Sequence, residues 1–250
     1  MKSFKKRLAG GEILLGTIVS LPSPEIAEIL AGLGFDWLFI DAEHGAMDSS
    51  DVQRILQAAG AGCPALVRVP LNDEIWIKKA LDSGAQGVIV PQVNSASEAA
   101  RAVSFAKYPP MGGRSVGISR AHGYGGRFQE YVRQANRETL VIVQAEHADA
   151  VNNIDAMLDV QGIDGVFVGP YDLSASMGKP GAVDDPEVAG AIDRIRQAAR
   201  RARMPLGIFG ADEGSVSSRI RSGFSLICVA SDTLLLRRAA AETLERLRRG

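Results

Sequence analysis

The chain has 250 residues, 46% of them hydrophobic and 23% charged, which is enough to bury one large core and too apolar for a disordered polymer. Its 28 basic and 29 acidic side chains leave a formal net charge of -1. That balance excludes a global field for recruiting nucleic acid or an anionic membrane, so a small polar molecule is the default partner.

The N-terminal segment Met1-Lys2-Ser3-Phe4-Lys5-Lys6-Arg7 is basic, with no apolar stretch of signal-peptide length behind it and no run of membrane-spanning length anywhere. Two cysteines, Cys63 and Cys228, are too few for a disulfide framework and read as buried free thiols. A cytoplasmic protein is expected. Short aliphatic or β-branched runs then alternate with segments of helical spacing. Strands are predicted over 14–19, 37–41, 64–68, 87–90, 140–144, 165–168, 205–208 and 226–229, and helices over 24–31, 50–59, 73–83, 96–105, 148–158, 186–202, 214–222 and 233–249. Ser23 before Pro24, and Asn72 before Asp73-Glu74, are signals for a helix start, while Gly34, Gly60, Gly84 and Gly223 stand just past helix ends. Eight such units predict a single α/β domain over 1–250, a (β/α)8 TIM barrel in preference to an open doubly wound sheet. One interval breaks the rhythm. Residues 107–138 form a Gly- and Pro-rich loop excursion with a short helix near 128–135, and a loop this long in a compact domain is expected to be functional.

In a barrel, chemistry sits where the strands end. Asp41-Ala42-Glu43-His44-Gly45 follows the apolar run Trp37-Leu38-Phe39-Ile40, which makes His44, one of only three histidines, the candidate catalytic base. Arg68 ends the run Ala65-Leu66-Val67 and carries a cation into an apolar barrel top, either to stabilise an oxyanion such as an enolate or to pair with Asp41 or Glu43. Asp82, at the end of its predicted helix, opposes the helix dipole, and by itself reads as a solvated surface residue. Glu146 and Asp172 lie at the ends of adjacent strands and suit one hard divalent ion, Mg²⁺ or Mn²⁺, with positions left open. The competing reading has Asp172 capping a short helix at 173–175 and Glu146 paired with an arginine. No His or Cys cluster suits zinc. His122 and His147 read as incidental, and Gly123-Tyr124-Gly125-Gly126 matches no phosphate-loop spacing. None of the seven lysines ends a predicted strand, so Schiff-base chemistry is not expected.

The motifs Asp41-Ala42-Glu43-His44, Arg68-Val69-Pro70, Leu81-Asp82-Ser83-Gly84-Ala85-Gln86, Tyr108-Pro109-Pro110, Gln144-Ala145-Glu146 and Gly169-Pro170-Tyr171-Asp172-Leu173-Ser174 resemble the HpcH/HpaI aldolase family over nearly the whole chain. The resemblance implies a metal-dependent, pyruvate-specific class II aldolase acting on compounds such as 4-hydroxy-2-oxoheptanedioate or 2-dehydro-3-deoxy sugar acids. It implies His44 as the base, acting directly or through a metal-bound water, Asp82 as the partner raising its basicity, and Arg68 as the transition-state stabiliser. Glu146 and Asp172 become ligands of Mg²⁺, Mn²⁺ or Co²⁺, Gln144 and Ser174 substrate contacts, and the backbone at Tyr171 and Asp172 the donors to the pyruvate carboxylate. It further implies a hexamer of dimers that exchange the terminal helix. The apolar content of that helix, with Leu234-Leu235-Leu236, Leu244 and Leu247, predicts a homo-oligomer without the resemblance.

Two departures stand out. Lys107-Tyr108-Pro109-Pro110-Met111-Gly112 replaces an arginine-rich stretch of many relatives, and Tyr124 among glycines stands where some dicarboxylate-cleaving relatives present an arginine to the acceptor. The expected reaction is therefore reversible cleavage of a 4-hydroxy-2-oxo acid to pyruvate and a neutral or polyhydroxylated aldehyde. The aldehyde would be oriented by the loop following the fourth strand, with Arg127 as the alternative cation. Two other classes stay open: a related metal-dependent barrel lyase acting on oxaloacetate or a CoA thioester, and a non-enzymatic binding barrel with its carboxylates paired and no metal.

Overall fold

The structure is a computed structural model describing residues 2–249. Eight parallel strands, β1 Leu14–Val19, β2 Trp37–Asp41, β3 Ala65–Arg68, β4 Gly87–Val90, β5 Leu140–Ala145, β6 Gly165–Val168, β7 Leu206–Gly210 and β8 Leu226–Ser231, pair in sequence order. β8 pairs back onto β1, with Leu14 opposite Leu226, so the sheet closes and the open architecture is excluded. β5, β7 and β8 run one to two residues further toward the mouth than the apolar runs indicate.

Alternation along each strand divides the core in two. Outward residues such as Leu38, Ile40, Val67, Val88, Val143 and Val168 pack beneath the helices. Inward residues, among them Leu14, Trp37, Phe39, Leu66, Ile142 and Phe167, fill the barrel. The aromatic rings fit because neighbouring strands place glycines beside them. A Cβ at Gly16 would lie 2.5 Å from the Trp37 ring, and one at Gly207 would lie 2.4 Å from Phe167. The same alternation carried upward makes Asp41, Arg68, Gln144 and Gly169 the next inward positions, at the C-terminal ends of β2, β3 and β5 and just beyond β6.

The helices are α1 Phe4–Ala9, α2 Pro24–Gly32, α3 Ser49–Ala59, α4 Glu74–Asp82, α5 Ala96–Ala106, α6 Phe128–Glu138, α7 Ala148–Leu158, α8 Pro170–Ser176, α9 Pro186–Ala202, α10 Glu213–Arg221 and α11 Asp232–Arg249. α1 has no counterpart among the predicted elements. It plugs the base of the barrel, with Phe4 and Leu8 joining the interior cluster and the Phe4 ring 6.4 Å from Trp37. Ser23 caps α2 as expected, but α4 is capped by Asp73, whose carboxylate accepts from the amides of Ile75 and Trp76, while Asn72 reaches Glu98 O instead. Gly34, Gly60, Gly84 and Gly223 all adopt positive φ.

The excursion lies elsewhere than expected. β4 delivers the chain to the mouth, α5 carries it back, and residues 107–127 therefore depart from the opposite end of the barrel. Arg120 donates to Ser83 O at 2.7 Å and to Leu56 O at 3.4 Å, fastening the loop against the C-terminal parts of α4 and α3. Buried His122 braces it from within, contacting Gly117 O and accepting from Gly125 N. The loop thus does not overhang the mouth of its own chain, and Tyr124 and Arg127 line a cavity with Gly84 and Gln86, away from the strand ends. Along α11, Leu236, Leu244 and Leu247 are exposed. No helix among the described residues is long and apolar enough to cross a membrane.

Candidate active site

A cavity of about 260 Å³ opens at the mouth, lined by His44, Arg68, Gln144, Gly169, Tyr171 and Asp172 on its polar side and by Ile18, Phe39, Phe167 and Phe209 elsewhere. Five residues predicted for the site thus surround one space, together with the glycine at the end of β6.

Arg68 is buried and held by a two-point ion pair, Nε to Asp41 Oδ1 at 2.9 Å and Nη2 to Asp41 Oδ2 at 2.7 Å, with Glu43 Oε2 3.2 Å from Nε. Its guanidinium lies 5.2 Å above the Phe39 ring. Nη1 has no acceptor among the described residues, so the planar group is locked by one edge and free at the other. The salt bridge and an oxyanion role, the two readings of Arg68, are compatible in this geometry. Asp41 Oδ1 also accepts from the amides of Glu43 and His44, which fixes the turn that carries His44 into solvent. The His44 side chain is 64% exposed, with Nε2 4.0 Å from Glu43 Oε2.

Glu146 is buried, its Oε1 accepting from Gln92 N at 2.8 Å and its Oε2 from the Gln144 amide. Gln92 reaches that position through a left-handed backbone, φ 53°, an uncommon conformation for a residue with a side chain. Burial pushes the Glu146 carboxyl up to about 7, and the negative charges of Glu43 and Asp172 push the same way. Burial raises Glu43 as well. Gly169 completes the cradle, since a Cβ there would sit 2.7 Å from Glu146 Oε2 and 2.9 Å from Gln144 Nε2.

These residues fit a hard divalent cation. Glu146 makes no ion pair among the described residues, the carboxylates of Glu43 and Asp172 repel it with Arg68 alone acting the other way, and the buried Gln144 Oε1 has no hydrogen-bond partner. All the donors are oxygens, as Mg²⁺ and Mn²⁺ prefer. No three His, Cys, Asp or Glu side chains cluster as a closed metal site among the described residues, so water and substrate would complete the coordination shell. Asp172 stands in the first turn of α8, where the amides of Tyr171 and Asp172 have no carbonyl of their own helix to satisfy them and are available to an anion.

Other predicted residues lie apart. Ser174 is buried, and its hydroxyl is committed to Tyr171 O at 2.6 Å and to Gly181 N at 3.0 Å, fixing the loop after α8. Asp82 pairs with Arg114 Nη2 at 2.6 Å and lines a separate cavity with Ser119 and Tyr124. The dyad of His44 with Asp82 is therefore not assembled within one chain. Arg114 sits buried between Tyr108 and Tyr131, and its position 32 residues from Asp82 gave the sequence reading no handle on the pair. His147 caps α7 by accepting from Asp149 N. One lysine is buried with a depressed amine: Lys107, lowered to about 8 chiefly by desolvation, but it donates to Thr139 O and Asn136 O at the base and cannot serve the mouth. The roles of Gln92, Gly169 and the apolar wall of the cavity went unread. The alternation of β1 and β7 is the signal that could have found Ile18 and Phe209.

The fold agrees with comparisons to known proteins. A model of the HpcH/HpaI aldolase/citrate lyase family matches residues 15–239. A 4-hydroxy-2-oxovalerate aldolase of Rhodococcus jostii (strain RHA1) is 43% identical over 238 residues, 94% of this chain and 92% of that protein. A 4-hydroxy-2-oxo-heptane-1,7-dioate aldolase of Shigella flexneri is 42% identical over 241 residues, 95% of this chain and 90% of the relative. The crystal structure of an HpcH/HpaI aldolase/citrate lyase family protein from Burkholderia cenocepacia J2315 superposes with a TM-score of 0.95 at 38% identity, covering 98% of each chain.

Proposed function

The chain belongs to the HpcH/HpaI aldolase/citrate lyase family and is a carbon–carbon lyase of the aldolase type, and from that premise we propose how its own residues divide the work. The reaction is the reversible cleavage of a 4-hydroxy-2-oxo acid to pyruvate and an aldehyde. The observation that carries this reading is the convergence of Arg68, Gln144, Asp172 and His44 on one cavity beside the unpaired carboxylate of Glu146.

The substrate carboxylate is taken by the free amides of Tyr171 and Asp172, and Gln144 orients the 2-oxo group. In the cleavage direction His44 removes the proton from the 4-hydroxyl, the C3–C4 bond breaks, and its electron pair passes into the enolate of pyruvate as the aldehyde leaves. Arg68, held by Asp41, offers Nη1 to the enolate oxygen, where a locked guanidinium stabilises charge without reorganising. C3 then takes up a proton to give pyruvate. Glu146 and Asp172 would hold the family's divalent ion, Mg²⁺, Mn²⁺ or Co²⁺, which when bound supplies Lewis acidity toward the keto group. Because Asp82 lies outside the cavity of its own chain, its service to His44 would have to be given between subunits. The exposed leucines of α11 support a homo-oligomer, a hexamer by the resemblance, and the buried free thiols Cys63 and Cys228 support a cytoplasmic setting.

The test is release of pyruvate from racemic 4-hydroxy-2-oxo acids with and without chelator, beside loss of the pyruvate methyl protons to D2O by NMR. Cleavage and exchange that both depend on the ion are expected. Turnover of oxaloacetate or a CoA thioester alone would move the assignment to a related lyase, and the absence of any turnover would leave a binding barrel.

A further inference from the structure

Glu146 Oε1 is held by a main-chain amide, Gln92 N at 2.8 Å, while the Gln92 side chain itself is exposed. That amide reaches the carboxylate because Gln92 stands at φ 53°, in the left-handed region where a Cβ is crowded. Such a conformation persists in a residue other than glycine only where its surroundings over-determine it.

Those surroundings lie outside the cavity. Pro91 and Val93 are buried on either side of Gln92, which anchors the chain before and after the turn. Both main-chain groups of Asn94 are then tied. Its N donates to Glu98 Oε2 at 2.7 Å, and its O accepts from Asn153 Nδ2 at 2.8 Å. Glu98 belongs to the first turn of α5, where its own amide donates to the N-cap Ser95 Oγ at 3.3 Å. Its carbonyl accepts from Asn72 Nδ2 at 2.9 Å, so the loop after β3 bears on the same turn. Asn153 reaches across from α7 and is exposed. Neither Glu98 nor Asn153 lines the cavity.

We infer that Glu98 and Asn153 are positioning residues of the ion site, holding the strained backbone of Gln92 so that its amide fixes Glu146. This rests on the reading of Glu146 as an ion ligand. Two donors, Gln92 N and the Gln144 amide, set the plane of the carboxylate and leave each oxygen a second lone pair. Once Asn94 is released, Gln92 relaxes toward negative φ and its N–H turns away from Oε1. The carboxylate must then be reordered before it can bind.

The test is calorimetric titration of the metal-free protein with Mn²⁺, with the thermal unfolding midpoint followed alongside. Asn153→Ala removes one tie from the surface and should weaken Mn²⁺ binding by about fivefold or more, and Glu98→Ala should do the same by an independent route. Glycine adopts positive φ without strain, so in a Gln92→Gly background the loss caused by Asn153→Ala should shrink to about twofold or less. A purely structural tie would lower the unfolding midpoint alike in both backgrounds and leave Mn²⁺ affinity alone. Affinity unchanged in either folded variant, or lost equally with and without Gln92→Gly, would overturn the inference. Should Glu98→Ala fail to fold, Asn153→Ala still decides. Glu146→Ala binding Mn²⁺ as tightly as the wild type, or a wild type that binds none, would instead overturn the reading of Glu146 as a ligand.

Discussion

Arg68 and Asp41 stand opposite each other in register on adjacent strands, and both of their charged hydrogen bonds are made, at 2.9 and 2.7 Å. The pair is buried, so each partner depends on the other for its charge.

Removing one side should show this in stability and the other in rate. Asp41→Ala leaves a buried guanidinium unpaired and should cost about 3–5 kcal/mol in urea denaturation. Arg68→Lys keeps a cation but loses the two-point geometry, and should lower kcat by about 100-fold with KM little changed. A fully active lysine variant would show that the guanidinium edge is not what holds the developing charge.

Excess EDTA should abolish turnover and Mg²⁺ or Mn²⁺ should restore it. If the proposed ligand roles hold, Glu146→Ala and Asp172→Ala should lose the ion in calorimetric titration while their unfolding midpoints stay near wild type. Undiminished activity in EDTA would remove the ion from the mechanism.

His44→Ala should reduce kcat strongly and leave the affinity for pyruvate nearly unchanged, as expected of a group acting in the transition state. Asp82→Asn should shift the acidic limb of the pH–rate profile downward. As the two residues line different cavities of one chain, mixing the two impaired variants should return activity above that of either alone through mixed oligomers. No recovery, with the acidic limb unmoved, would confine Asp82 to its contact with Arg114.

Lys107 offers a pH test away from the chemistry. Its folded-state amine is lowered to about 8 by burial, below the ordinary 10.5, so between those values the unfolded chain binds a proton that the folded chain does not. Stability contributed at this site should therefore rise with pH across that window, by on the order of 3 kcal/mol in total, and be flat below it. The difference in denaturation midpoint between wild type and Lys107→Met, followed from pH 7 to 11, isolates the effect. A difference that does not change with pH would place the proton elsewhere.

Gly169→Ala puts a Cβ 2.7 Å from Glu146 Oε2. The carboxylate must move, and ion affinity should fall by about tenfold or more while the barrel remains folded. Wild-type ion affinity in this variant would show that the cradle is looser than the geometry indicates.

The strands and the polar half of the mouth were legible because two signals coincide there: short buried runs mark the strands, and an ionisable residue directly after an apolar run has nowhere to go but the mouth. α1 was not legible, since six residues beginning Phe4-Lys5-Lys6 carry only the spacing of Phe4 and Leu8 as a hint of the base they plug. The excursion between β4 and β5 shows in the sequence as a break in the rhythm. Its address after a helix, and not after a strand, already assigns it to the base once the barrel is granted. Asp82 shows the limit more sharply, because its partner Arg114 approaches from a separate segment and only folding brings them together.

The division of the mouth has a consequence for descent. The polar side chains of the cavity rise from β2, β3 and β5 and from the segment after β6, whereas Ile18 and Phe209 bring an apolar wall from β1 and β7. A lineage built on this barrel can reshape that wall by substitutions on β1 and β7 that leave Asp41, Arg68, Gln144 and Glu146 in place. The shape of the cavity and the charges within it are then free to diverge separately.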